Sequence, residues 1–317
     1  MKWVFISLVF LNSSSVAQIT YPEKGWIQQL QRYTISLGDV QHDTVTSKGA
    51  RKIYLYYNIL GTGAVFYINF DNSPLAVVVT AKHVLKDLKN NFLDSIRMRL
   101  SSRDGESVYK YLGVNVPLTL DGQSMIFAHP DSTVDLACFP LISKDPYTNR
   151  DSVSLIPYSF FPEDYQIFEG AEIYVLGYPG SVGRTYWTRA LLRKSIIAWT
   201  AANAPTKKFL IDCQVYPGNS GGPVFTKIPN FPIMMDTTDY SKMYKFVGIV
   251  IERRFTYNKL RAYRDGAFSP VSDADSLRYF SAESIGVGVV EPARNVFDML
   301  KAYEAALART DSSNKEK

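Results

Sequence analysis

The sequence predicts an all-β fold of two halves in series, closed by one helix near the C-terminus. Three observations lead there. Many short runs are rich in β-branched and aromatic residues, Gly/Pro/Asn/Asp turns separate them, and one long helical period follows the last run. With 21 Tyr and 18 Phe among 317 residues, and 46% hydrophobic residues overall, the chain has β preference and enough apolar material for a sizeable core. Strands alternating with helices, the pattern of an α/β hydrolase, do not occur.

Taken in order, residues 1–17 are unlike the rest. Lys2 precedes an apolar stretch from Trp3 to Leu11, and Ser15-Val16-Ala17 is a small-x-small cleavage pattern. This predicts a signal peptide, with mature protein starting near Gln18 and exported to the periplasm or the medium. The apolar stretch is too short to span a bilayer and no later one approaches that length, so no stable membrane insertion is expected after its removal. Trp26, Ile27, Leu30 and Tyr33 share one face of a helix over 23–33, expected to pack on the outside of the domain.

Strands begin at Lys52–Asn58, break at Gly61-Thr62-Gly63, and resume at Ala64–Ile68. The apolar run Leu75–Thr80 reads as a buried strand and delivers Ala81-Lys82-His83-Val84 at its end. Strands at 96–100, 108–112 and 124–128 follow, then Val134-Asp135-Leu136-Ala137-Cys138-Phe139. The proline-bearing stretch from Ser143 to Glu169 connects the halves. The second half has strands at 172–176, 185–191, 193–199, 208–213, 223–226, 246–251 and 284–290. Pro292 then opens a helix over 293–308, and 309–317 is a polar tail.

Composition also excludes some chemistry. The net charge of +5 comes from 35 basic and 30 acidic residues with no dense basic block, so no nucleic-acid partner is expected. Two Cys and three His, without HExxH or CxxC, predict neither a metal site nor any other cofactor. Cys138 and Cys213 both lie in apolar runs, where free cysteine behaves as a small hydrophobe.

The chemistry concentrates at Pro217-Gly218-Asn219-Ser220-Gly221-Gly222-Pro223. A serine between glycines can occupy a backbone turn that a Cβ would strain, with N–H groups converging where an oxyanion forms. Serine is a poor nucleophile unless a base activates it and an acid orients that base. The same residues fit the G-x-S-x-G elbow, but that order requires a histidine after the serine. His42, His83 and His129 all precede Ser220. His83, at the end of a buried strand, is the best base. Asp135 opens an apolar strand and is the orienting acid, with Asp131 in the preceding turn as the fallback.

These three segments, in this order, resemble the trypsin-like (chymotrypsin-fold) serine peptidases. The HtrA/Deg-type branch is the nearest in pattern, through Gly61-Thr62-Gly63, Gly177-Tyr178-Pro179-Gly180, Val247-Gly248-Ile249 and Ile285-Gly286-Val287-Gly288. The resemblance covers roughly 50–305 and implies one protease domain over 18–308; that branch usually carries a PDZ domain after the protease, and the expected absence of one here departs from its pattern. It implies two six-stranded antiparallel β-barrels, at about 50–142 and 170–291, with the active site between them. It makes Ser220 the nucleophile, His83 the base and Asp135 its orienter, with the N–H groups of Gly218 and Ser220 as oxyanion hole. The strand Val247-Gly248-Ile249-Val250 would pair with an extended polypeptide substrate. Gln214, six positions before Ser220, would line the base of the specificity pocket and favour a neutral, small-to-medium apolar residue before the scissile bond. The loops 229–245 and 255–283 are longer than usual connections and flank that cleft. The expected function is an exported serine endopeptidase; a catalytically silent homologue that binds peptides or partners is the alternative. The sequence carries no reading of oligomeric state.

Overall fold

A computed structural model describes residues 22–47, 50–70, 73–102, 113–142, 151–162, 167–182, 189–201, 204, 206–228, 243–259, 261–264, 267–270 and 280–315. The expected signal peptide, the 108–112 strand and parts of both long loops lie outside these residues.

Helix α1 (Pro22–Arg32) buries Trp26 and Leu30. Seven strands follow: β1 (Thr34–Ser47), β2 (Ala50–Phe70), β3 (Ser73–Ala81), β4 (Ser95–Arg99), β5 (Val114–Pro117), β6 (Phe127–Ala128) and β7 (Leu136–Pro140). They form one curled antiparallel sheet in the order β5-β4-β1-β2-β3-β7-β6. This half therefore differs from the expected six-stranded barrel. Its last strand, β6, offers only two residues to a ladder, and the sheet curls without closing.

β1, like β5, is a strand that sequence reading missed. Ile35 and Leu37 point into the core, but Gln41 to Thr46 form an exposed two-stranded arm with β2 and carry no burial signal. Pairing with β2, from Val40↔Tyr57 to Ser47↔Ala50, makes it a strand.

The second half comprises β8 (Glu172–Gly177), β9 (Leu191–Trp199), β10 (Phe209–Ile211), β11 (Pro223–Lys227), β12 (Tyr244–Lys259) and β13 (Phe280–Pro292). These six close into a barrel in the order β8-β9-β10-β13-β12-β11, as expected. Helix α2 (Ala293–Lys315) then runs through the region read as a polar tail. After Pro292 the chain holds no glycine or proline to stop it.

The two helices cross-link the halves. From α1, Trp26 stacks on Tyr244 of β12 (4.3 Å between ring centroids, 23° between planes) and meets the edge of Tyr174 of β8 at 5.0 Å. Truncating a buried Trp of this kind to Ala typically costs about 3–5 kcal/mol. From α2, Tyr303 packs on Phe127 of β6 at 5.2 Å, and Glu304 accepts hydrogen bonds from the Asn69 N–H (3.1 Å) and the Tyr158 hydroxyl (3.0 Å). One buried cluster runs through both halves, from Ile35 and Phe66 to Phe225 and Phe246. Among the described residues no helix is long and apolar enough to cross a membrane.

Candidate active site

β3 ends at Ala81, and a short 3₁₀ turn (Lys82–Leu85) carries His83 directly off the strand. Beside it, β7 begins one residue after Asp135, and Leu136 is in register with Ala81. The ladder therefore sets Asp135 against His83. The contact has two points: Asp135 Oδ2 lies 2.6 Å from His83 Nδ1, and Asp135 Oδ1 accepts the His83 backbone N–H at 3.1 Å. The second bond fixes the carboxylate's rotation, so its other oxygen is aimed at the ring. A carboxylate on Nδ1 holds the proton there and leaves Nε2 as the basic nitrogen.

The other histidines and the fallback acid sit elsewhere. His42 is on the exposed β1 arm. His129 Nδ1 accepts the Asp131 N–H at 3.0 Å, within its own turn. Asp131 is occupied by Thr133, through the backbone N–H (2.9 Å) and the side-chain hydroxyl (2.7 Å). Those two bonds hold its carboxyl below the ordinary range.

Ser220 belongs to the other half, on the turn before β11. The turn is closed by Asn219 N–H to the Tyr216 carbonyl (3.0 Å), Gly180 N–H to the Pro217 carbonyl (3.0 Å) and Gly222 N–H to the Asn219 carbonyl (2.9 Å). Gly218 and Gly221 both have left-handed backbone, with φ of +96° and +88°. A Cβ on Gly221 would lie 1.8 Å from the Thr62 carbonyl oxygen and 2.1 Å from Thr80 Oγ1.

Thr62, on β2 of the first half, meets this turn with both its N–H and its hydroxyl. Its N–H donates to the Ser220 carbonyl at 2.8 Å, and its hydroxyl donates to the Gly218 carbonyl at 2.6 Å. The same hydroxyl accepts the Tyr178 N–H at 3.0 Å, and its carbonyl accepts the Thr80 hydroxyl at 2.7 Å. Thr80 is three residues before His83 on β3. The serine turn and the histidine strand are thus joined through one buried threonine. The Ser220 hydroxyl itself is directed to the Ile251 carbonyl at 3.5 Å, a long contact.

The structure does not leave Val247-Gly248-Ile249-Val250 on a free edge. All four residues are buried in β12. Gly248 pairs with Val224 and Pro292, and Ile249 with Pro223 and Glu291. Val250 N–H donates to the Gly222 carbonyl, and the Val250 carbonyl accepts from Gly221. A substrate strand needs unpaired N–H and C=O groups, whereas Gly248, Ile249 and Val250 already have partners on both sides. After Ile249 the register of β12 continues with β13 alone among the described residues.

Gln214 is exposed, and its carbonyl accepts the Arg193 guanidinium. That guanidinium lies over the Tyr216 ring, 4.6 Å from its centroid. Nothing in the sequence pointed to Arg193, which stands on β9 more than twenty residues away. Cys138 and Cys213 are buried and free, and burial pushes both thiols up. Among the described residues no group of three or more His, Cys, Asp or Glu is placed to hold a metal ion.

Comparison with known proteins agrees with this geometry. Residues 61–228, more than half of the chain, match the family described as trypsin-like peptidase domain. No curated protein matches by sequence. Among solved structures, an HtrA-type protease, AlgW with a decapeptide, aligns at 14% identity and a TM-score of 0.46, over 89% of this chain and 66% of that one. A serine-to-alanine form of AlgW with a tripeptide aligns at 14% identity and 0.42, over 87% of this chain and 61% of that one. The chain spans less than two thirds of the length of either structure. The chain belongs to the trypsin-like peptidase domain family.

Proposed function

We propose that the protein is an exported serine endopeptidase that cleaves polypeptides through an acyl-enzyme. The observation that carries this reading is the two-point contact of Asp135 on His83, which orients an imidazole as a base. Rotation of the Ser220 hydroxyl about χ1, away from the Ile251 carbonyl, presents it to His83 Nε2. His83 takes the proton as Oγ attacks the scissile carbonyl, then returns it to the leaving amine. Gly218 and Ser220 N–H groups receive the oxyanion, supported by a turn that Thr62 and Gly180 hold on both sides. The extended substrate pairs with β12 at Ile251 and Glu252, past the strand expected from sequence.

Substrate choice follows from the Gln214–Tyr216 segment. It holds no carboxylate to capture Lys or Arg, and the Arg193 guanidinium at that segment opposes a cationic side chain further. A peptide library is expected to show cleavage after neutral apolar residues. Preferred cleavage after Lys or Arg would refute this assignment.

The test of the reaction itself is labelling of the purified chain by a fluorophosphonate probe. The wild type labels and Ser220→Ala does not. Labelling that persists in Ser220→Ala removes Ser220 as nucleophile. The long contact of the Ser220 hydroxyl with Ile251 favours the alternative of a silent homologue that binds peptides, and an unlabelled wild type is that alternative's signature.

A further inference from the structure

We propose that Glu291 is a positioning residue for the His83–Asp135 pair. This rests on the peptidase reading above and extends it to a residue outside the triad. Glu291 is the last residue but one of β13 in the second half, in the otherwise apolar run Val289-Val290-Glu291-Pro292, and is fully buried. Its carboxylate reaches across to the first half, where Oε1 accepts the backbone N–H of Asp135 at 3.1 Å.

A buried carboxylate persists only when its charge and its lone pairs are satisfied. Lys208 Nζ lies 3.2 Å from Oε1, and Asn295 Nδ2 donates to Oε2 at 2.9 Å. Asn295, one turn along α2, also donates to the Thr206 carbonyl at 2.9 Å. The group is therefore built from three elements of the second half and aimed at one N–H of the first.

The segment it meets is held on both sides. Lys82, next to His83, donates its ammonium to the Ser132 (3.1 Å) and Val134 (2.9 Å) carbonyls. Lys82 also donates its backbone N–H to the Asp135 carbonyl at 3.1 Å. Lys208 adds a 3.3 Å bond to the Thr133 carbonyl. The first half thus fixes the carbonyl of Asp135, and Glu291 fixes its N–H. With both ends of the residue anchored, its side chain is fixed relative to His83, where Oδ1 and Oδ2 must meet two different nitrogens. Without Glu291 the N–H anchor is lost, and the Asp135 backbone is held on its carbonyl side alone, so its carboxylate is less well fixed against His83. A hydrogen bond to an ionised acceptor is stronger than one between neutral groups, which suits a carboxylate to this task.

The experiment compares full-length wild type, Glu291→Leu and Glu291→Gln, with concentrations set by fluorophosphonate titration of Ser220. Two quantities are read: kcat and KM on a peptide ester, and the strongly deshielded Nδ1 proton of His83 by NMR, assigned by its loss in His83→Ala. Glu291→Leu is expected to lower kcat about 10- to 100-fold with KM little changed, since a small misplacement of catalytic groups costs up to that much. Its His83 proton is expected to move upfield or vanish. Glu291→Gln keeps an acceptor for the Asp135 N–H and recovers most of kcat and the resonance. Should Glu291→Leu not fold, Lys208→Met, at a half-exposed lysine, is read instead, with an expected loss of about 3- to 10-fold and the same upfield shift. A folded variant with unchanged kcat and an unshifted proton overturns the proposal. The resonance needs no turnover, so a wild type that neither labels nor cleaves defeats the peptidase reading while the Glu291 assignment is still decided by NMR.

Discussion

Asp135→Asn is expected to lower kcat by about 10⁴ while leaving KM and the fold nearly unchanged, because this is the cost of the corresponding change in a Ser-His-Asp triad. The two contacts of Asp135 explain why. Its Oδ1 accepts the His83 backbone N–H, so an amide at this position keeps its oxygen there. The NH₂ group then faces Nδ1, which must accept a hydrogen bond and surrender its proton to Nε2. A ring protonated on Nε2 cannot take the serine proton. The measurement is steady-state cleavage of a peptide ester, normalised to folded protein. A loss smaller than about 10-fold would mean that Asp135 does not set the tautomer.

The second large effect concerns stability. Gly221→Ala combines left-handed backbone strain, on the order of 1–2 kcal/mol, with a collision that has no flexible partner to yield. The new Cβ would meet the Thr62 carbonyl oxygen at 1.8 Å and Thr80 Oγ1 at 2.1 Å, both buried in the first half. Separating the halves enough to admit a methyl group breaks the Thr62 bonds to Ser220 and Gly218, at roughly 1–3 kcal/mol for each buried group left unpaired. The expected total is above about 4 kcal/mol, in the range that single substitutions seldom reach. Denaturant titration against Gly122→Ala tests this, since Gly122 has φ of +76° with nothing within 4 Å of its Cβ and should show backbone strain alone. Equal losses for the two variants would remove the contact with Thr62 as the cause.

The parts of this site legible in the sequence are those whose signal is local. Glycines around Ser220 announce a turn, and His83 and Asp135 each adjoin an apolar strand that fixes where they stand. The β1 arm was illegible because its outer residues bury nothing and owe their conformation to β2. The burial of Gly248 and Ile249 between two neighbouring strands was illegible, since sequence cannot show which residues of a strand are paired on both sides. Glu291 and Arg193 were missed because their partners come from distant segments. A faint signal for Glu291 existed, a lone charge inside Val289–Pro292, where only a satisfied carboxylate could be tolerated. Thr62 lay within the motif Gly61-Thr62-Gly63, but its role depends on a serine 158 positions later, where a hydrogen bond was invisible until the chain was folded.

That threonine also bears on how the protein becomes competent. The Ser220 turn takes one main-chain bond and one hydroxyl bond from Thr62 of β2, so neither half alone can complete it. A chain in which only the second barrel had formed would carry Ser220 on an unsupported loop. Under the proposed peptidase reading, proteolytic chemistry would be confined to copies in which both halves have docked.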